Sequence, residues 1–125
     1  MVVHEHGRVI AFYSLSPTGV APNIMPRAIR TGQPPDPVPC ILLGQFAVDL
    51  AWAGHGIGSG LLKHAYDRSL AAARLAGGRA LMVNAIDDDA AQYWRRRGFA
   101  PSKDNPHILF RSMADIDLAR TKAQL

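Results

Sequence analysis

The sequence predicts one α/β domain built on a mixed β-sheet. Three observations carry that expectation. Two nearly unbroken apolar runs, ILLGQFAVDL (41–50) and RALMVNA (79–85), read as strands buried on both faces. Between them lies a glycine-rich turn followed by a long helix pattern, so 41–85 forms a β-loop-helix-β unit with parallel strands. Ahead of that unit, MVVH and RVIAFYSLS are rich in β-branched and aromatic residues and flank a short turn, as in an antiparallel hairpin.

The elements follow in chain order. Residues 1–16 form the hairpin, turning through Glu5, His6 and Gly7. Residues 17–39 hold seven of the nine prolines and are expected to be a loop, longer than most in compact domains. Gly44, inside the first apolar run, marks a bulge or a close backbone approach. A helix is expected from about Ser59 to Ala76. Leu62, Ala65, Tyr66, Ser69, Ala72, Ala73 and Ala76 form its small-residue stripe, and Gly77-Gly78 stops it. After the second strand, Asp87 is an N-cap, and Asp88 and Asp89 suit the positive end of a helix dipole. This second helix carries AAQYWRRR and ends at Gly98, with Arg95, Arg96 and Arg97 in its last turn. HILFRS (107–112) is a final strand, and the polar tail from about Asp115 is expected to be flexible. At 125 residues, with no internal repeat, residues 1–125 read as a single domain.

Composition narrows the function. One cysteine, Cys40, excludes an internal disulfide and a multi-cysteine zinc site, and it suits a reducing, cytoplasmic setting. Histidines 4, 6, 55, 64 and 107 show no metal-ligand spacing, so no metal is expected and they read as surface or turn residues. No apolar stretch is long enough to span a membrane, and the N-terminus lacks a signal-peptide core. The net charge of +4 favours an anionic partner such as nucleotide or nucleic acid.

The chemistry concentrates in AWAGHGIGSGLL (51–62), where Gly54, Gly56, Gly58 and Gly60 alternate between a buried strand and a helix. Successive N–H groups of such a turn can converge on phosphate oxygens, and the helix N-terminus adds its dipole. A plain strand-to-helix turn is the other reading of the same glycines. The spacing is not the G-x-G-x-x-G of dinucleotide folds, and no G-K-[ST] follows to make a Walker A loop.

LLGQFAVDLAWAGHGIGSGLL followed by ALMVNAIDDDAAQYWRRRGF resembles the GNAT-type N-acetyltransferases, and within them the acetyltransferase toxins of bacterial toxin–antitoxin modules. FYSLSP (12–17) and PPDPVPCILL (34–43) are similar to segments of that toxin branch, so the resemblance covers roughly residues 8–112. It implies a GNAT fold: a mixed central sheet with a splayed parallel strand pair flanked by helices. The chain opens where the family's second strand would stand, which implies an N-terminally shortened domain.

The implied activity is acetyl transfer from acetyl-CoA to a primary amine, for the toxin branch the α-amine of aminoacyl-tRNA. A small ribbon-helix-helix antitoxin is the implied partner, with a homodimer among the assemblies. Two alternatives stay open: a catalytically weak CoA-binding or antitoxin-binding remnant, and a GNAT enzyme acting on a small amine or protein N-terminus. By the same resemblance Ala53, Gly54, His55, Gly56, Ile57, Gly58 and Ser59 would hold the pyrophosphate. Phe46, Ala47 and Val48 would bind the pantetheine arm, and the Val48 N–H would polarise the thioester carbonyl. Asn84 would hydrogen-bond the cofactor arm or the acceptor; a turn-capping side chain is its alternative. The family's Y-x-x-x-G-F tyrosine, the acid for the leaving thiolate, falls on Trp94, an N–H donor without useful acidity. Tyr93, one residue earlier, is the alternative acid, and a core role for both rings is the third reading. Arg27, Arg30, Arg95, Arg96, Arg97 and Arg111 are expected either as a basic rim for a phosphate-rich acceptor or as solvated charges.

Overall fold

The computed structural model describes residues 2–5, 8–30, 32, 34–48 and 57–123. Six strands form one mixed sheet in the order β1-β2-β3-β4-β6-β5. They are β1 (Val2–Glu5), β2 (Arg8–Val20), β3 (Val38–Val48), β4 (Ala80–Asn84), β5 (Ala100–Pro101) and β6 (Ile108–Ser112). The β3–β4 pair is parallel and the other neighbours are antiparallel. Helices α1 (Ile57–Ala76), α2 (Asp88–Arg95) and α3 (Met113–Ala123) complete the domain.

The hairpin and the strand-helix-strand unit stand where the sequence predicts them. Residues 17–39 are not all loop. β2 runs on to Val20 and β3 begins at Val38, so Pro17 and Pro39 both lie in strands, paired with Ile41 and Gly19. Proline content alone therefore misplaces the ends of both strands. Among the described residues β1 pairs with β2 from Arg8 to Phe12. The connection is residues 21–37, shorter than expected at both ends and still long, with a 3-10 turn (Pro22–Ile24) in it. It is pinned by Lys103 N–H and the Ser102 hydroxyl, both donating to Ile24 O at 3.0 and 3.2 Å.

Two apolar layers sandwich the sheet. Ala11, Tyr13, Ile41, Leu43, Leu81, Val83 and Leu109 face the three helices. Val38, Cys40, Ala80 and Phe110 face the other way and are covered by Val20, Met25 and Ile29. α1 begins two residues before Ser59 and ends as expected. Gly77 takes φ +74°, and Gly77 and Gly78 N–H both donate to Ala73 O. Its buried stripe is Leu61, Leu62, Ala65, Tyr66, Ser69, Leu70 and Ala73, whereas Ala76 is exposed. The Ser69 hydroxyl is satisfied by Ala65 O at 2.6 Å.

Asp87 caps α2, its carboxylate accepting from Ala90 N–H at 2.8 Å. α2 ends at Arg95 rather than Gly98. Arg96 to Gly98 instead form a turn closed at Gly98 (φ +91°), so only Arg95 sits in the last helical turn. The tail is the clearest correction. Residues 113–123 are helical, with Met113 and Ile116 buried in the helix-side core. Arg74 to Asp117 (3.3 Å) and Arg120 to Asp67 (2.9 Å) tie this helix to α1. Two apolar residues three apart suffice to dock a short helix, although its composition is polar.

Candidate functional site

The site lies where β3 and β4 part. Their described pairing runs from Cys40↔Ala80 to Leu43↔Val83, yet β3 continues to Val48. The other side of β3 stays paired with β2, but out of step. Ser14 pairs with Gly44 and Phe12 with Ala47, so β3 carries one extra residue opposite Tyr13. This is a β-bulge, and it changes which way side chains point. Before it, Ile41 and Leu43 face the helices; after it, the even-numbered Phe46 does. The Phe46 ring meets the Trp94 ring edge-on at 5.5 Å. Gly44 lies beside the bulge, and a Cβ there would stand 3.0 Å from Ser14 Oγ, so both expectations for this glycine hold.

Between the parted strands is a cleft of about 320 Å³, lined by Leu43, Gly44, Phe46, Val83, Asn84, Ile86, Ala90 and Trp94. Three residues singled out in the sequence, Phe46, Asn84 and Trp94, thus come together from β3, β4 and α2. Ala47 and Val48 continue β3 past the cleft, paired with Phe12 and Ala11. Ile57, Gly58 and Ser59 form the first turn of α1, with Gly58 half-buried and Ser59 exposed. Ala53, Gly54, His55 and Gly56 lie outside the described residues. Asn84 makes no side-chain hydrogen bond among the described residues, and the turn after β4 is capped by Asp87 instead.

Tyr93 does not line the cleft. Trp94 is buried, with Tyr93 and Phe99 edge-on at 5.0 and 5.1 Å. Tyr93 is half-buried under the Arg97 guanidinium, whose carbon lies 3.4 Å from the ring centroid. Arg97 also donates to Tyr93 O at 2.9 Å, which holds this arginine against the end of α2. Arg111 is likewise withdrawn from any exposed rim, since it is largely buried and its Nε donates to Asp115 at 2.6 Å. His64 is not a plain surface residue either. Its Nδ1 is hydrogen-bonded to the Tyr13 hydroxyl.

Among the described residues the lining of the cleft holds no ionisable side chain. It is an apolar slot edged by strand backbone and one amide, suited to an extended neutral arm rather than to a charged headgroup. Cys40 is no candidate acyl carrier. It is buried on the far face of the sheet, and burial pushes its thiol up to about 11, so little thiolate exists at neutral pH. Ile86 was not singled out from sequence, yet it is 91% exposed at the cleft edge. The signal for it was an apolar residue standing directly before an N-cap and a run of acids, where no core position is available.

Among the described residues no group of histidine, cysteine or carboxylates could hold a metal ion, and no helix is long and apolar enough to cross a membrane. Comparison with known proteins agrees with the geometry. Residues 1–99 match the acetyltransferase (GNAT) family. The chain is 40% identical over 114 residues to a tRNA-acetylating toxin of Mycobacterium tuberculosis (strain ATCC 25618 / H37Rv), covering 91% of this chain and 68% of that protein. The toxin AtaT complexed with acetyl-methionyl-tRNAfMet superposes with a TM-score of 0.81 at 25% identity, over 92% of this chain and 69% of that one. A tyrosine-to-phenylalanine mutant of AtaT, bound to the C-terminus of the antitoxin AtaR and acetyl-CoA, gives 0.72 at 26% identity, over 90% and 66%. A cleft between splayed parallel strands, a bulged central strand and these matches have one explanation: the chain belongs to the GNAT family of N-acetyltransferases, whose acetyl donor is acetyl-CoA.

Proposed function

We propose that this chain is a toxin that acetylates the α-amine of aminoacyl-tRNA and so blocks translation. The observation that carries the reading is the 40% identity to a tRNA-acetylating toxin across 91% of the chain. The cleft supports it, because it offers strand backbone without a β4 partner beside an apolar floor.

Acetyl-CoA supplies an activated acyl group as a thioester. The backbone of Phe46, Ala47 and Val48 holds the pantetheine arm in the manner of an added strand, and the Val48 N–H draws charge from the thioester carbonyl. Asn84 donates to or accepts from the arm at the cleft edge. Ala53 to Ser59 would receive the pyrophosphate, the last three of these residues from the first turn of α1. The acceptor amine attacks directly, without an acyl-enzyme. Trp94 closes the cleft with a ring that donates but does not release a proton. The proton for the leaving thiolate therefore comes from water or from outside the cleft lining. A small ribbon-helix-helix antitoxin restrains the toxin in the cytoplasm, as AtaR is found bound to AtaT.

One observation favours a second reading, a catalytically weak CoA-binding protein: among the described residues the cleft lining has no acid. A single assay separates the two. Purified protein, labelled acetyl-CoA and bulk charged tRNA should yield acetylated aminoacyl-tRNA, while free amino acids and small amines are poor acceptors. Retained CoA binding with no transfer to any charged tRNA would favour the weak binder. The cofactor assignment has its own check. Gly58→Val should weaken CoA binding about tenfold or more by calorimetry, each decade being about 1.4 kcal/mol. An unchanged affinity in the folded variant would remove the pyrophosphate from this turn.

A further inference from the structure

On the β2 side of α1 lies a second cavity, of about 390 Å³, lined by Tyr13, Leu15, His64 and Arg68. It is one strand away from the cleft, since Leu15 on its wall pairs in register with Leu43 on the cleft wall. We propose that this cavity binds a phosphate group of the substrates through the His64 imidazole and the Arg68 guanidinium, with Tyr13 setting the orientation of His64. The inference rests on the aminoacyl-tRNA reading for the identity of those substrates.

The geometry supplies a built donor set. The Tyr13 hydroxyl is bonded to His64 Nδ1, and the two rings lie 5.8 Å apart, tilted by 57°. Burial raises Tyr13 above the ordinary phenol range, against the pull of Arg68, so the hydroxyl keeps its proton. With Nδ1 engaged by this hydroxyl, Nε2 is the ring nitrogen left to meet a ligand. Arg68 follows His64 by four residues, one helical turn, so both side chains stand on the same flank of α1.

Charge bookkeeping around the cavity explains why Arg68 is available. Arg74, Arg111 and Arg120 are each engaged by a carboxylate, Asp117, Asp115 and Asp67 respectively. Arg68 has no ion pair or hydrogen bond among the described residues. The carboxylate beside it in sequence, Asp67, is taken by Arg120 through two bonds of 2.9 and 3.1 Å. An imidazole held in place by Tyr13, beside a guanidinium that no carboxylate engages among the described residues, is a donor set suited to a phosphate oxygen.

Such a phosphate has two sources, the RNA backbone and the 3′-phosphate of CoA. The test reads binding alone. Uncharged bulk tRNA is titrated at several salt concentrations, and CoA and 3′-dephospho-CoA are compared by calorimetry, for wild type, Arg68→Ala and Tyr13→Phe. For an RNA phosphate, Arg68→Ala loses about tenfold in tRNA affinity and reduces the slope of log affinity against log salt by about one, with CoA binding unchanged. For the cofactor phosphate, Arg68→Ala abolishes the difference between CoA and dephospho-CoA and leaves tRNA binding alone. Tyr13→Phe should lose part of the same effect while its ring still fills the core. No change in either ligand with Arg68→Ala overturns the site, and an effect of Arg68→Ala without one of Tyr13→Phe overturns the orienting role of Tyr13. Because no readout requires transfer, an inactive wild type would count against the proposed function and not against this cavity.

Discussion

Trp94→Tyr should raise the turnover of acetyl transfer by about 10²-fold, within the range of about 10²–10⁴ typical of general acid catalysis. Trp94 lines the cleft and faces Phe46, so a phenol at that position stands where the leaving thiolate needs a proton. The indole in its place donates a hydrogen bond and keeps its proton. The acid would act in the transition state, so kcat should rise with little change in CoA affinity. The gain should disappear above about pH 10, where a phenol is ionised. Tyr93→Phe is the companion variant. Tyr93 lies under Arg97 and outside the cleft lining, so its loss should leave kcat nearly unchanged. Steady-state transfer to charged tRNA across pH, with CoA affinity measured alongside, checks both. If Trp94→Tyr gains nothing and Tyr93→Phe loses heavily, Tyr93 is the acid and α2 moves when substrate binds.

Ile116→Ala should destabilise the domain by about 2–5 kcal/mol, the usual cost of truncating a large buried aliphatic side chain. Ile116 has no solvent exposure and is packed with the helix-side core through α3. Against a typical total of about 5–15 kcal/mol, that is a large fraction of what holds the fold. Denaturant unfolding of the variant gives the number directly. A loss below about 1 kcal/mol would mean that the segment is held only by its exposed ion pairs, which are worth little each.

The two predictions concern residues that the sequence treats very differently. Trp94 is conspicuous in the sequence because W-R-R-R-G-F puts an indole where the family pattern has a phenol. Ile116 is hidden in a stretch whose charges suggest a solvated tail. Local pattern decides the first kind of feature. The two continuous apolar runs, the Asp87 cap and the Gly77 stop are all set by neighbours within a few residues, and each stands in the structure. So the mixed α/β architecture and the GNAT family were legible from the amino acids.

Tertiary structure decided what depends on partners far along the chain. The proline-rich segment contributes strand residues because Pro17 and Pro39 pair in register with Ile41 and Gly19 across β2 and β3, and that pairing cannot be read from composition. α3 docks because Met113 and Ile116 find the core, not because the helix is strongly amphipathic. Phe46 reaches Trp94 because the bulge inserts one residue opposite Tyr13, which reverses the side-chain alternation beyond Gly44; a strand pattern alone would send Phe46 to the opposite face. The hydrogen bond between Tyr13 and His64, fifty-one positions apart, exists only once β2 and α1 are packed together. Periodicity over a few residues fixes which elements form, whereas strand register and helix docking fix which side chains share a site, and those are set by contacts that no local window contains.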